Sequence, residues 1–215
     1  MADVLDNLAG WAQEVFLVDS YSRDDTVDIA LGRGVTVVQR AFRGFGDQWN
    51  YAVRELPITA PWTMKLDPDE RLTPELKASI QRAIAGDGHA ALILKRRLWF
   101  MGRPLHVRQE ILRLWRTGTC RFADVAVNEH PLVEGPAVRV AGDLEHHDSP
   151  SLHQWFDKQN RYTTAEAIAS GRMHHLSARP PLVATPLVRR MSLHPAHLRL
   201  HCPPPSIAPS SAAAP

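Results

Sequence analysis

Apolar positions in the first third of the chain recur with periods that alternate between those of helices and strands. Four apolar residues fall at helical spacing in the first segment, whereas short apolar or β-branched runs farther on favour strands. The predicted order is helix 3–12, strand 15–18, a helix ending at 30, strand 35–38, helix 47–55 and strand 62–66. This alternation favours an α/β fold with a mostly parallel sheet and helices on both faces. Ligands on such sheets bind where strands end.

The second half of the chain returns to strands before a last helix. Thr73, Pro74 and Glu75 provide an N-cap, a proline in the first turn and an acidic residue there, so a helix should begin here and run to 84. Beyond it the pattern predicts an extended segment 90–100, a turn at 102–104 and a strand at 111–115. A helix over 152–170 should then end at Gly171. The strands of this half are expected to form an antiparallel or mixed set.

The composition is that of an ordinary soluble protein with one globular domain. Of the 215 residues, 44% are hydrophobic and 22% are charged, which allows one substantial core. The net charge of +2 gives no reason to expect nucleic acid as a partner. The last part of the chain differs, because residues 203–210 are all Pro, Ser or Ala except Ile207. Residues 178–215 are therefore expected to form a disordered tail after a domain of residues 1–177.

Several features of the sequence favour a cytoplasmic protein. No window approaches the roughly 20 apolar residues of a membrane-spanning helix. The first residues carry acids where a secretory signal would carry basic residues. Cys120 and Cys202 lie far apart without the spacing of metal ligands, as expected of thiols in a reducing compartment. Peripheral attachment at the inner face of the cytoplasmic membrane stays open, because composition does not decide it.

Acidic residues are concentrated at the end of the strand predicted for residues 62–66. Asp67 and Asp69 flank Pro68, which favours an extended backbone before it, so the two carboxylates should point the same way. Such a pair can hold one Mg²⁺ or Mn²⁺ whose other coordination positions bind a nucleotide diphosphate. The cation then stabilises the charge on the departing diphosphate. The alternative is a solvated acidic loop, because Asp-x-Asp also arises by chance.

A second acidic segment follows the strand predicted for residues 15–18. Asp19 can accept hydrogen bonds from a base or a ribose, or it can serve the turn that follows, and the residues leave both roles open. Asp24 and Asp25 are more simply explained as part of a helix start, where Ser22 or Asp24 can act as the cap.

His146, His147 and Asp148 form a cluster late in the chain. A histidine can complete a magnesium or manganese site, but both metals favour oxygen ligands and eleven histidines are scattered through the sequence. Metal ligation is therefore the less favoured interpretation of this cluster. The tryptophans of periodic apolar segments are likewise more simply explained as core residues than as platforms for sugar rings.

Four segments, in this order, resemble the inverting glycosyltransferases of family 2, which have the GT-A fold, and more closely their lipopolysaccharide-core glucosyltransferase-like subgroup. They are EVFLVDSYSRDDTVDIA, FRGFGDQWNYA, WTMKLDPDERLTPEL and FADVAVNEHPLVEG, and the likeness covers residues 5–175. The resemblance implies that Asp19 contacts the base of the nucleotide, that Asp67 lies near the ribose and that Asp69 ligates the metal. It also implies that the first strand of the family fold is missing, so that the catalytic domain 1–177 is incomplete at its N-terminus, and that the C-terminus is altered.

The resemblance also implies a single displacement at the anomeric carbon with inversion. Such a reaction requires a carboxylate that takes the proton of the acceptor hydroxyl. Glu129, in the segment VNEH, matches the late acidic motif of the family and is the first candidate for this base. Asp124 is the second candidate, and His130 is expected to orient a neighbouring group.

The activity implied by the resemblance is metal-dependent transfer of a hexose from a nucleotide-diphosphate sugar, expected to be a UDP-sugar, to a cell-envelope glycan or a lipid-linked acceptor. Two alternatives stay open. A nucleotidyltransferase can share this sheet and acidic site, but the N-terminal region has no glycine-rich phosphate loop with a lysine. A non-catalytic remnant that binds the sugar nucleotide weakly, or acts as an interaction module, is the main alternative.

Overall fold

The computed structural model describes residues 1–123, 129–148 and 150–176. The helices in these ranges are α1 (Ala2–Leu8), α2 (Thr26–Leu31), α3 (Phe45–Glu55), α4 (Pro74–Ala85) and α5 (Leu152–Leu176). The strands are β1 (Phe16–Asp19), β2 (Thr36–Gln39), β3 (Trp62–Met64), β4 (Glu70–Leu72), β5 (Ala91–Phe100), β6 (Arg103–Arg116), β7 (Cys120–Phe122), β8 (Pro131–Val133) and β9 (Ala137–His147). Residues 1–173 form one compact unit, and the predicted tail 178–215 lies outside the described residues.

The alternation of strands and helices predicted for the first third of the chain is confirmed. β1 and β2 pair in parallel along their whole length, and α2 connects them. Neither candidate cap occupies the N-cap position of α2, which is Asp25 without a side-chain capping bond, but the Asp24 carboxylate accepts a hydrogen bond from Thr26 N–H at 3.1 Å in the turn before the helix. This assigns Asp24 to the structure of the helix start.

A five-stranded sheet in the order β3, β6, β5, β9, β4 forms the centre of the fold. Within it β5 and β9 are parallel, whereas the β3–β6, β5–β6 and β4–β9 pairs are antiparallel. The α/β class is as predicted, but these pairings differ from a mostly parallel sheet. The reason is that β3 joins β6, the returning strand of a long hairpin, instead of extending the β1–β2 pair.

A cavity of about 530 Å³ lies between the β1–β2 pair and the five-stranded sheet. Residues of β1 and β3 line the cavity together with apolar side chains of α1, α3 and α4. Among the described residues β1 pairs with β2 alone and β3 with β6 alone. Lys65 and Asp67 also line the cavity, so it reaches the segment that follows β3.

α4 begins as predicted and packs on the five-stranded sheet. The Thr73 hydroxyl accepts a hydrogen bond from Leu76 N–H at 3.3 Å, with Pro74 in the first turn. Leu76 and Ile80 are fully buried and share a core cluster with Leu144 of β9. This packing fixes β9, which leads to the candidate site.

β5 and β6 form the long hairpin. Met101 and Gly102 close it with φ angles of 50° and 74°, the positive values that a two-residue type I′ turn requires. The turn predicted for 102–104 therefore begins one residue earlier, and Pro104 belongs to β6. β3 pairs with β6 only at the end far from this turn, so Pro104 lies on a strand edge, where proline is tolerated.

α5 continues past Gly171, so the predicted end of the helix at this glycine is wrong. A glycine inside a helix costs about 1 kcal/mol relative to alanine, which does not by itself end a helix. No helix in the described ranges is both long enough and apolar enough to cross a bilayer.

Candidate active site

Asp67, Pro68, Asp69 and Glu70 form a β-turn between β3 and β4. Glu70 N–H donates a hydrogen bond to the Asp67 carbonyl at 2.9 Å, with Pro68 at the second position that proline favours. The turn takes the place of the extended backbone predicted for Asp67 and Asp69. Each of the two carboxylates has its own partner, one on β6 and one on β9.

Arg113 of β6 is the partner of Asp67. Its Nη2 donates to Asp67 Oδ2 at 2.9 Å and to Glu70 Oε1 at 2.7 Å. Arg113 is the extra residue of a β-bulge, because the register between β5 and β6 shifts by one residue at this point. Bulges next to functional sites often redirect a side chain. Here the bulge carries a buried guanidinium that holds the acidic turn.

Glu70 is fully buried, and its carboxylate stabilises the turn through hydrogen bonds. Its Oε2 accepts a hydrogen bond from Asp67 N–H at 3.0 Å, and Arg96 lies 3.7 Å from its Oε1. Burial raises the pKa of Glu70, and the charge of Arg113 opposes that shift. Because its oxygens face guanidinium groups and a backbone N–H, Glu70 supports the positions of Asp67 and Asp69.

Asp69, His146 and Asp148 form a group that can hold a cation, because one candidate ligand atom of each lies within 4.8 Å of the others. His146 Nε2 lies 3.1 Å from Asp69 Oδ2, although 77 positions separate the two residues in the sequence. The antiparallel register of β4 and β9 places Glu70 opposite His146 and so brings the two segments together. Metal ligation was the less favoured interpretation of His146 from the sequence, but the fold places this histidine next to Asp69.

The surroundings of Asp69 favour its ionised carboxylate, the form that can bind a cation. Burial raises the pKa of Asp69, but the hydrogen bond and charge of His146 and the charge of Lys158 outweigh burial, so the pKa lies below its ordinary value. Nδ1 of His146 is buried and has no hydrogen-bond partner among the described residues.

The donor set consists of two carboxylates and one imidazole, which is more typical of Mn²⁺ than of Mg²⁺. Lys158 Nζ lies 2.7 Å from Asp148 Oδ1, so the charge of Asp148 is already partly compensated. The residues therefore fit a divalent cation, with Asp69 and His146 as the closer pair of ligands.

Glu129, the first candidate for the catalytic base, is paired with Lys65. Lys65 Nζ donates a hydrogen bond to Glu129 Oε1, and both side chains are almost completely buried. The ammonium group also lies 4.6 Å from the ring centre of Trp49 and 5.8 Å from that of Phe122. Because Lys65 comes two residues before Asp67, the ion pair connects the candidate base with the acidic turn.

α3 fixes the strand that precedes Glu129. Asn50 exchanges two hydrogen bonds with the backbone of Phe122, each at 2.9 Å, and Trp49 lies against the Phe122 ring. The segment FGDQWNYA therefore positions β7. Asp124, the second candidate for the base, lies outside the described residues.

Asp19 is buried at the end of β1, and its carboxylate is hydrogen-bonded within the protein. It accepts hydrogen bonds from Ser22 N–H at 3.0 Å, from the Ser22 hydroxyl and from Gln39 Nε2 at 2.9 Å. Burial raises the pKa of Asp19, but these hydrogen bonds outweigh burial and place the pKa below its ordinary value. The bonds shape the turn at Tyr21, whose φ is 61°, and a contact of Asp19 with a base stays a prediction.

Three charged residues of this site were missed in the sequence: Lys65, Glu70 and Arg113. A signal exists for two of them, because Lys65 and Arg113 interrupt the apolar runs WTMKL and ILRLW. A charge inside such a run is buried with its strand and needs a partner of opposite charge. Lys65 pairs with Glu129, and Arg113 pairs with Asp67 and Glu70, so a charge inside an apolar run indicated an acidic partner at the site.

Comparison with known proteins identifies one family over most of the chain. Residues 2–131 match the model of Glycosyl transferase family 2. An uncharacterized glycosyltransferase of Rickettsia typhi is 26% identical over 183 residues, which cover 78% of this chain and 62% of that protein. The chain thus spans less than two thirds of the length of this relative.

Two further comparisons differ in extent. The lipopolysaccharide core biosynthesis glycosyltransferase LpsC of Rhizobium meliloti is 28% identical over 187 residues, which cover 79% of this chain and 68% of LpsC. A solved structure described as that of a mycobacterial protein aligns with a TM-score of 0.35 and 20% identity, over 47% of this chain and 37% of that chain. The structural likeness is too partial to support an inference.

Proposed function

The chain belongs to Glycosyl transferase family 2 and has the GT-A fold, and we propose that it transfers a hexose from a nucleotide-diphosphate sugar to an acceptor hydroxyl with inversion at the anomeric carbon. We take the donor to be a UDP-sugar and the acceptor to be a cell-envelope glycan or a lipid-linked glycan. The observation that carries the proposal is the meeting of Asp69 and His146 at the acidic turn, with Asp148 beside them.

In this proposal Asp69 and His146 are the principal ligands of Mn²⁺ or Mg²⁺, and Asp148 completes the set. A bound divalent cation supplies charge compensation for the departing diphosphate. Asp67, fixed by Arg113, is assigned to the ribose. Asp19 is assigned to the base, whose donor group would replace one of the internal partners of its carboxylate.

Glu129 is the proposed general base. Lys65 holds one carboxylate oxygen, Oε1, which fixes the orientation of the other. That other oxygen takes the proton from the acceptor hydroxyl as the hydroxyl oxygen attacks the anomeric carbon. The bond from this carbon to the diphosphate breaks in the same step, and the diphosphate leaves with the bonding electrons. Asp124 stays the second candidate for this role.

The likeness to LpsC supports an envelope acceptor, since that protein is named for the biosynthesis of the lipopolysaccharide core. The acceptor is therefore proposed as a class, a glycan or lipid-linked glycan of the cell envelope. For the donor, we expect binding of its diphosphate to depend on Mn²⁺ or Mg²⁺.

Transfer of label from UDP-glucose to an envelope extract tests the proposal. We expect transfer with Mn²⁺, its loss on addition of EDTA and its loss in Asp69→Ala, with the exposed Asp87→Ala as the matched control. Formation of pyrophosphate from UTP and a sugar phosphate would indicate a nucleotidyltransferase instead. Binding of UDP without transfer or pyrophosphate formation would indicate the non-catalytic alternative.

A further inference from the structure

Half of the exposed large apolar side chains lie on two neighbouring elements, the β5–β6 hairpin and the start of α5. Ten large apolar side chains are exposed among the described residues, and five of them lie on the tip of the β5–β6 hairpin or in the first turns of α5. We call these five the tip surface: Met101, Leu105, Val107, Leu152 and Phe156, with exposed fractions from 39% to 55%. Isolated exposed apolar residues are common, but a contiguous group indicates a surface that binds something.

Aromatic contacts join the hairpin part of the tip surface to the helical part. The Phe100 ring lies edge-on to Trp155 with ring centres 6.4 Å apart, and Trp155 contacts Phe156 with ring centres 5.0 Å apart. Leu152 precedes Phe156 by four residues and so lies on the same side of α5. The hairpin and the helix therefore present one connected surface.

A local irregularity of β6 contributes to the exposure of Leu105 and Val107. Between the pairs Arg97–Arg108 and Trp99–Pro104, β6 has three residues where β5 has one. The additional residues leave the regular ladder of the hairpin, as in a β-bulge.

The hairpin also carries an excess of basic residues, although three of them, Arg96, Arg97 and Arg108, pair with Glu70, Glu145 and Asp143. Residues 95–109 contain five Lys or Arg residues and no Asp or Glu, in a chain whose net charge is only +2. Arg103 is exposed at the turn, and no described carboxylate lies within ion-pair distance of it, whereas Lys95 is exposed farther from the tip and lies opposite Glu110 and Asp143. Apolar side chains bordered by basic ones are typical of surfaces that enter the interface of an anionic membrane, where each basic residue near the surface strengthens binding.

We propose that the tip surface docks on an anionic membrane. The apolar side chains enter the headgroup region, and Arg103, at the turn of the hairpin, contacts the lipid phosphates. Leu98 pairs with His146 in register, and Phe100 follows two residues later on the same face of β5. Docking therefore brings the membrane to the side of the sheet that carries His146, where a lipid-linked acceptor would meet the site. That last consequence rests on the proposed function, whereas docking itself does not.

Co-sedimentation of the full chain with vesicles tests the proposal without donor or acceptor. We expect binding to phosphatidylcholine vesicles that contain phosphatidylglycerol, weaker binding to phosphatidylcholine alone, and loss of binding as salt is raised. Transfer to a soluble acceptor, measured without vesicles, reports separately on the proposed function, so failure of one is distinguishable from failure of the other.

Variants with matched controls locate the surface. Arg103→Gln should weaken binding to the anionic vesicles roughly fivefold, and the double variant Leu105→Ser, Val107→Ser should weaken it roughly tenfold. Arg54→Gln on α3 and Leu31→Ser on α2, both exposed and outside the tip surface, should bind as the unchanged chain does. Absence of vesicle binding, or equal losses in the tip and control variants, would overturn the proposal and leave a protein partner as the occupant of the surface.

Discussion

Lys65 and Glu129 lie 64 positions apart in the sequence and form a hydrogen-bonded ion pair that is almost completely buried. The pair ties the strand that leads into the acidic turn to the segment that carries the candidate base. The two residues can be tested separately, because Glu129 is proposed to take the proton of the acceptor hydroxyl and Lys65 to hold the Glu129 carboxylate in place.

Glu129→Gln is expected to lower turnover by roughly two to four orders of magnitude, the usual loss when a general base is removed. Binding of the donor should be retained, because the amide keeps the size of the side chain and the metal group is untouched. The exposed Glu134→Gln is the matched control. The measurement is kcat for sugar transfer together with UDP affinity. Near-normal turnover of Glu129→Gln would move the assignment to Asp124.

Lys65→Met is expected to lower the free energy of unfolding by about 3 kcal/mol, since it leaves the buried Glu129 carboxylate without its counter-charge. The double variant Lys65→Met, Glu129→Gln should recover part of that loss because the unpaired charge is gone. Urea unfolding of the two single variants and the double variant measures the coupling. Strictly additive losses would show that the two side chains do not stabilise each other.

The sequence predicted the elements whose signals are local. The start of α4 was predicted from Thr73, Pro74 and Glu75, and the Thr73 hydroxyl caps the helix as expected. The turn at Pro68 was misjudged, because proline favours both an extended residue before it and the second position of a β-turn. The hydrogen bond from Glu70 N–H to the Asp67 carbonyl closes the turn, and it shows that Pro68 occupies the second position of that β-turn.

The contacts that assemble the candidate site were not predictable from local patterns. His146 reaches Asp69 because β9 pairs with β4, and Arg113 reaches Asp67 because of a bulge in β6. Neither the pairing nor the bulge has a periodic signature in the sequence. The resemblance to a family indicated Asp69 directly, whereas the position of His146 beside it follows only from the fold.

Gly142→Ala is expected to disturb β9, the strand that carries His146. Gly142 has a φ of 90°, and a Cβ there would lie 2.3 Å from Leu76 N. Gly118, with a φ of 82° and nothing within 4 Å of such a Cβ, is the matched control. Gly118→Ala should cost about 1 kcal/mol for its backbone conformation alone. Gly142→Ala should cost at least about 3 kcal/mol, because backbone atoms of α4 must move. Equal costs in chemical unfolding would contradict the close packing of α4 on β9.

Cys120 is expected to react slowly with iodoacetamide at pH 8. Burial raises the pKa of its thiol to about 12, so the reactive thiolate is scarce until the pH is far above neutral. In a Cys202→Ser variant the rate should be roughly a thousandfold lower in the folded protein than in urea. In the folded protein the rate should also increase about tenfold for each unit by which the pH is raised, as long as the pH stays below the pKa. Similar rates in the folded and unfolded chain, read by mass spectrometry, would show that the thiol is accessible and ordinary.

Calorimetric titration of UDP with and without Mn²⁺ tests whether Asp69 and His146 hold the cation that binds the diphosphate of the donor. We expect the unchanged chain and His106→Ala to bind UDP more tightly when Mn²⁺ is present. Asp69→Ala should lose this Mn²⁺ dependence. His146→Ala should weaken Mn²⁺-dependent binding roughly tenfold or more, since outer-shell changes alone often have that effect. Unchanged Mn²⁺-dependent UDP affinity in Asp69→Ala and His146→Ala would contradict the claim and place the cation elsewhere.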